Sequence, residues 1–159
     1  MAYRITGLTR AAFAKYFSAG PEELAAMNAI RVVAQADRGY PCRVSLDDAR
    51  AGESLILLHY VSHDVANPFR SAYAIYVREQ AEEATPFVDR LPPFFAGRPL
   101  SLRGFDADGM LHEALVAGPE AQEEAIHKLL DMPEVACIHA HYAAYGCFAA
   151  RIERDGEGW

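Results

Sequence analysis

Lysine is scarce in this chain, with two residues against thirteen arginines, and no block of basic residues occurs along its 159 positions. The formal net charge is −7. Nucleic-acid binding rests on neutralising phosphates, so this balance excludes nucleic acid as an expected partner. Also missing is any apolar run approaching the roughly 20 residues that span a bilayer. The opening stretch MAYRITGLTRAAFAKYF has no unbroken apolar core of the signal-peptide kind. Cysteine is limited to Cys42, Cys137 and Cys147, an odd number that argues against a disulfide framework and for free thiols. These absences lead us to expect a cytoplasmic protein without a membrane partner.

What is present is ordinary globular composition, 52% hydrophobic and 23% charged, in a length that suits one domain over residues 1–159. The arginine excess has two readings. Codon usage in a GC-rich genome accounts for it without function. The alternative is that some arginines hold carboxylate or phosphate through two parallel hydrogen bonds, which lysine does poorly.

Periodicity predicts an α+β fold. YRITGL reads as a first strand, and Thr9 as the N-cap of a short helix over Arg10–Phe17. A second short helix starts at Gly20-Pro21, with Glu22 and Glu23 in its first turn. AIRVV (29–33), SLILLHYV (54–61) and SAYAIYVRE (71–79) are strands. Residues 85–99 carry four prolines and must be irregular. Residues 100–117 form a hairpin around DADG. GPEAQEEAIHKLL is the longest helix, with Pro119 at its first position, and it precedes a last hairpin of strands 135–142 and 147–154. Together these predict a mostly antiparallel sheet built from hairpins, with two short N-terminal helices and one longer helix before the last hairpin.

That last hairpin, VACIHAHYAAYGCFAARIER, concentrates the polar chemistry. Strand alternation directs Ile138, Ala140 and Tyr142 to one face, and Cys137, His139 and His141 to the other. Continued unbroken on the return strand, it puts Phe148, Ala150 and Ile152 on the core face, and Cys147, Ala149 and Arg151 beside the histidines. Three readings stay open. His139-x-His141 could supply two ligands to zinc or iron. Cys137 lies about 13 Å from His141 at roughly 3.3 Å per residue, so those three cannot share one ion. Arginine and histidine could instead hold an anion, with histidine moving a proton near neutral pH. Or the histidines are structural, hydrogen-bonded within the sheet.

GYPCRVSLDDA (39–49) is the second constellation, an irregular loop of the kind that carries function. Cys42 beside Arg43 is a candidate nucleophile, against the reading of a buried structural thiol. Asp47 and Asp48 read as caps. Arg70 and Arg103 sit among apolar residues, and a buried guanidinium needs a carboxylate or a bound anion. His59 and His63 could join the hairpin histidines.

At GYPCRVSLDDA, RPLSLRGFD and HAHYAAYGCFAARIER the sequence resembles a bacterial family of domains of unknown function, the one numbered 1203. The resemblance runs in order over nearly the whole chain and brings no reaction, cofactor or ligand with it. The family's pattern carries over at Gly39, Pro41, Cys42, Arg43, Arg103, His139, His141, Gly146 and Cys147. It departs at Tyr142, where Asn is expected.

From the residues, the leading expectation is a binding protein or enzyme for a small anionic molecule. Arg43, Arg103, Arg151 and Arg70 are its candidate anion ligands, and Cys42, His139, His141 and Cys147 its candidate catalytic groups. The alternatives are a non-catalytic, self-associating module and a metalloprotein with His139 and His141 as ligands.

Overall fold

In the computed structural model, which describes residues 1–156, nine strands form two antiparallel sheets. β1 (Tyr3–Thr6), β5 (Phe87–Val88), β6 (Leu100–Phe105), β7 (Leu111–Ala117), β8 (Cys137–Tyr142) and β9 (Phe148–Arg154) make a six-stranded sheet in the order β5-β1-β9-β8-β6-β7. β2 (Ala29–Val33), β3 (Ser54–His63) and β4 (Ser71–Arg78) make a three-stranded sheet in chain order. Three helices accompany them: α1 (Ala14–Phe17), α2 (Pro21–Ala26) and α3 (Gln122–Leu130). The fold is α+β, as the hairpin pattern predicts. No helix among the described residues is long and apolar enough to cross a membrane.

Each sheet owns a core. α3 presents Ile126, Leu129 and Leu130 to the six-stranded sheet, where they pack with Leu102, Ile138, Ala140 and Ile152. Arg154 closes the C-terminal end of that helix, donating to the carbonyls of Leu130, Met132 and Val135. Carbonyls at a helix end lack partners within the helix, and a cation there also meets the negative end of the dipole. In the second core Phe13, Tyr16 and Leu24 pack on Ile56, Leu58, Ile75 and Val77 of the three-stranded sheet.

Two helix starts differ from the sequence expectation. Thr9 makes no side-chain cap, and the Arg10 N–H goes to the Glu83 carboxylate at 2.8 Å. Residues 10–13 wind as a 3-10 turn before α1 begins. Pro119 does not open α3. It lies in a turn closed by the Ala121 N–H on the Gly118 carbonyl, and the helix starts at Gln122, consistent with proline's fixed φ suiting the second position of a turn.

All six residues of β8 are buried, so both of its faces are covered. The face away from α3 meets the end of β3. The His63 ring stacks on Phe105 at 4.0 Å and stands edge-on to His139 at 5.1 Å, while Tyr60 meets Phe148 at 6.1 Å. The second sheet thus closes over the polar face of the first.

A cationic cavity between the two sheets

The loop after β2 carries the most informative side chain. Gly39 adopts φ +106°, a conformation that favours glycine, and its N–H bonds Asp48 Oδ2 at 2.8 Å. Pro41 then bridges Asp48, and Cys42 bridges Tyr76 of β4. The Arg43 backbone is held on both sides: its N–H donates to Tyr76 O at 3.2 Å, and its carbonyl accepts from Leu8 N at 2.8 Å. With the backbone fixed, the Arg43 side chain turns inward and is 1% exposed.

Its guanidinium donates to the carbonyls of Phe148 (2.8 Å) and Pro41 (2.6 Å) and to Cys147 Sγ (3.1 Å). None of the three acceptors is a carboxylate, and no carboxylate among the described residues forms a salt bridge with it. A buried cation without a counter-charge is costly, even when hydrogen-bonded.

The acceptors from β9 owe their position to a β-bulge. Ile138 pairs Ile152, His139 pairs Arg151 and Ala140 pairs Ala150, but His141 pairs Phe148, leaving Ala149 as the extra residue. Beyond it, Tyr142 donates its N–H to Cys147 O. One extra residue reverses the parity of everything before it. Cys147 therefore joins Tyr142, and Phe148 joins the histidines, with ring centroids 5.3 Å from His139 and 5.9 Å from His141.

Arg43 borders a cavity of about 570 Å³ between the Gly39–Pro41 loop, β4, the Gly97–Pro99 turn and the β8–β9 turn. Arg38, Arg98, Tyr73, Tyr76, Tyr142, Tyr145 and Cys147 also line it, while no histidine or carboxylate does among the described residues. Arg98 is neutralised: Nη1 and Nη2 bond Asp48 Oδ1 and Oδ2 at 2.7 and 2.6 Å. Burial pushes the Asp48 carboxyl up, but the Arg98 hydrogen bonds, the Gly39 N–H and the charges of Arg98 and Arg38 outweigh it and hold it below the usual carboxylate value. Arg38 donates to the Ala96 carbonyl and makes no salt bridge among the described residues. Burial also pushes the Tyr76 and Tyr142 phenols up, so both rings stay neutral. The guanidinium carbons of Arg43 and Arg98 lie 5.4 and 5.3 Å from the Tyr142 ring centroid.

A family described as protein of unknown function (DUF1203) matches residues 39–154. The chain belongs to that family. No curated protein and no solved structure matches the chain. The family match takes in every residue lining the cavity except Arg38, and leaves out β1, β2 and both N-terminal helices.

The structure divides the residues singled out in the sequence. Arg43 and Cys147 meet at the cavity. Cys147 was expected beside His139 and His141, and Phe148 on the core face; the bulge at Ala149 corrects both. Cys42 is fully buried in the second core, its Sγ accepting the Arg78 N–H at 3.3 Å, so it does not share a pocket with Arg43. Arg103 on β6 pairs with His139 on β8; with His141 they share the other face of the sheet and do not line the cavity. Among the described residues Arg103 donates to Ser101 Oγ, at 3.3 Å, and burial lowers its pKa. His139 is 3% exposed and its Nδ1 has no hydrogen-bond partner among the described residues; His141 Nδ1 lies 2.9 Å from Gly146 O. His63 joins them, whereas His59 is exposed on β3. No group of three His, Cys, Asp or Glu among the described residues is arranged to hold a metal ion. Arg70 makes an exposed pair with Asp64 (3.1 Å) and is not part of the cavity lining, and Arg151 pairs with Glu153 (2.5 Å).

Sequence reasoning missed Arg38, Arg98 and the four tyrosines. For Arg98 the available signal was Asp48, read as a cap but in fact the partner of a guanidinium 50 residues on.

Proposed function

We propose that this protein binds a small organic anion in the cavity between its two sheets. The observation that carries the reading is Arg43, a buried guanidinium at the cavity wall with no carboxylate partner among the described residues. In a chain of net charge −7, Arg43 and Arg38 give this one concavity an excess of positive charge. A bound oxyanion supplies the missing counter-charge at Arg43 through the N–H groups its three bonds leave over, and Arg recognises carboxylate and phosphate in this way. The volume lies within the roughly 300–1,000 Å³ usual for small-molecule sites. The lining offers charge, ring faces and one thiol, with no histidine or carboxylate among the described residues to act as general base, which favours binding over acid–base chemistry. The free, buried cysteines agree with a reducing, cytoplasmic setting.

The test is calorimetric titration and thermal shift with phosphate and simple carboxylates at constant ionic strength. A ligand that binds only the native state raises its melting temperature. We expect stabilisation of the wild type above a chloride control, loss of that increment in Arg43→Met, and a weakened increment in Arg38→Gln, whose exposed side chain leaves folding intact. Equal responses of wild type and both variants overturn the reading.

A further inference from the structure

We infer that the ligand of this cavity is a flat aromatic ring bearing a carboxylate or phosphate. The inference rests on the anion reading above and adds the part of the ligand that the charge does not define.

An oxyanion occupies only the corner of the cavity near Arg43, and 570 Å³ is far more space than it needs. Leu57, Ala74, Tyr73 and Tyr145 are among the residues that line the cavity beside the arginines. The two tyrosines differ from the other two in the lining. Tyr142 is buried, carries two guanidiniums over its ring and donates its hydroxyl to Phe94 O at 3.0 Å. Tyr76 is half-buried and packs on Tyr40, with ring centroids 5.4 Å apart. Tyr73 and Tyr145 are 58% and 80% exposed, and neither ring packs on another aromatic ring among the described residues.

They also come from different sheets, Tyr73 from β4 and Tyr145 from the β8–β9 turn, and meet only in lining this cavity. Aromatic side chains lining a concavity with a few charged groups are the usual make-up of a small-molecule site. Tyrosine gives wide contact area for two rotatable bonds, so ordering it on a ligand costs little. Ring faces discriminate by shape and quadrupole: they favour a flat π-system over a puckered hydrocarbon of the same size, and Arg38 can lie flat on the same ring.

The experiment titrates the full chain with three molecules of matched size: 2-naphthoate, the saturated decalin-2-carboxylate, and neutral 2-naphthamide, with inorganic phosphate alongside. We expect 2-naphthoate to bind at least about fivefold tighter than the saturated acid and tighter than the amide. That preference should shrink toward unity in the Tyr73→Leu/Tyr145→Leu double variant, whose changes fall on exposed side chains. Equal affinity for the two acids overturns the aromatic inference and leaves the anion reading standing, as does binding of phosphate alone. Equal affinity for naphthoate and naphthamide, or no binding by any of the four, overturns both. Reading 2-naphthyl phosphate beside the naphthoate then separates phosphate from carboxylate as the anionic group.

Discussion

At the scale of single residues, the cavity wall contains one buried and one half-buried arginine with opposite electrostatic situations. Half-buried Arg98 has a carboxylate gripping it through two bonds, and buried Arg43 has two carbonyls and a cysteine sulfur as acceptors. Replacing one partner of a largely buried pair leaves the other charge uncompensated. Asp48→Asn therefore strands Arg98 and removes an acceptor from the Gly39 turn. We expect a stability loss of about 2–3 kcal/mol, below the fully buried limit because Arg98 keeps some solvent contact. The same substitution makes the cavity more positive, so its affinity for phosphate or a carboxylate should rise. Urea denaturation and calorimetric titration read the two effects separately. A fall in anion affinity would mean that Asp48 shapes the site more than it neutralises it.

At the scale of elements, the Arg43 loop depends on a glycine far from it in sequence. A Cβ on Gly7 would lie 2.5 Å from the Val44 carbonyl oxygen and 3.1 Å from that of Arg43. Backbone oxygens cannot swing aside as a flexible side chain can, so Gly7→Ala must push β1 and the 42–46 loop apart. We expect about 1–3 kcal/mol of destabilisation, with anion affinity falling because Arg43 is displaced; unchanged affinity in a well-folded variant would uncouple the loop from the site. The same scale shows what was legible in the sequence. Apolar and β-branched runs located the strands other than β5, which lies in the proline-rich stretch read as irregular; alternation separated Ile138 and Ala140 from His139 and His141, because side-chain direction in a regular strand is a local property. It failed at Cys147 and Phe148, since a single extra residue at Ala149 inverts the parity and nothing in CFAARI marks the bulge. Arg43 was legible as a candidate, but its lack of a carboxylate partner was not, since that depends on every chain segment that could reach it. Tyr73 and Tyr145 looked like ordinary strand and turn residues, and only the approach of the two sheets gives them a shared cavity.

At the scale of the whole molecule, the two sheets are joined by a layer that contains neutral histidines. Burial lowers His139 to about 3, reinforced by the charges of His63, Arg151, His141 and Arg103. Burial lowers His141 to about 4, partly offset by its hydrogen bond to Gly146 and reinforced by Arg103, Arg43 and His63. In the unfolded chain both return to about 6.5. Above that value neither state binds the proton, and the histidines leave stability independent of pH. As pH falls from about 6.5 toward 4, the unfolded chain takes up protons that the folded one refuses. Each histidine then removes up to about 1.4 kcal/mol of stability per pH unit. The carboxylates act lower: Asp48 and Glu53, both held below their ordinary values in the fold, contribute stability above about pH 4 that is lost only as pH falls further. Acid destabilisation should therefore begin near pH 6, before the carboxylates titrate. His139→Phe places an apolar ring among Phe105, Phe148 and His63 and removes the unpartnered Nδ1, so it should cut the slope between pH 6 and 4 by about half. His59→Gln, on the exposed side of β3, should leave that slope unchanged. Urea midpoints at half-unit pH intervals distinguish the three proteins, and parallel curves for wild type and His139→Phe would remove the histidine layer as the source of acid sensitivity.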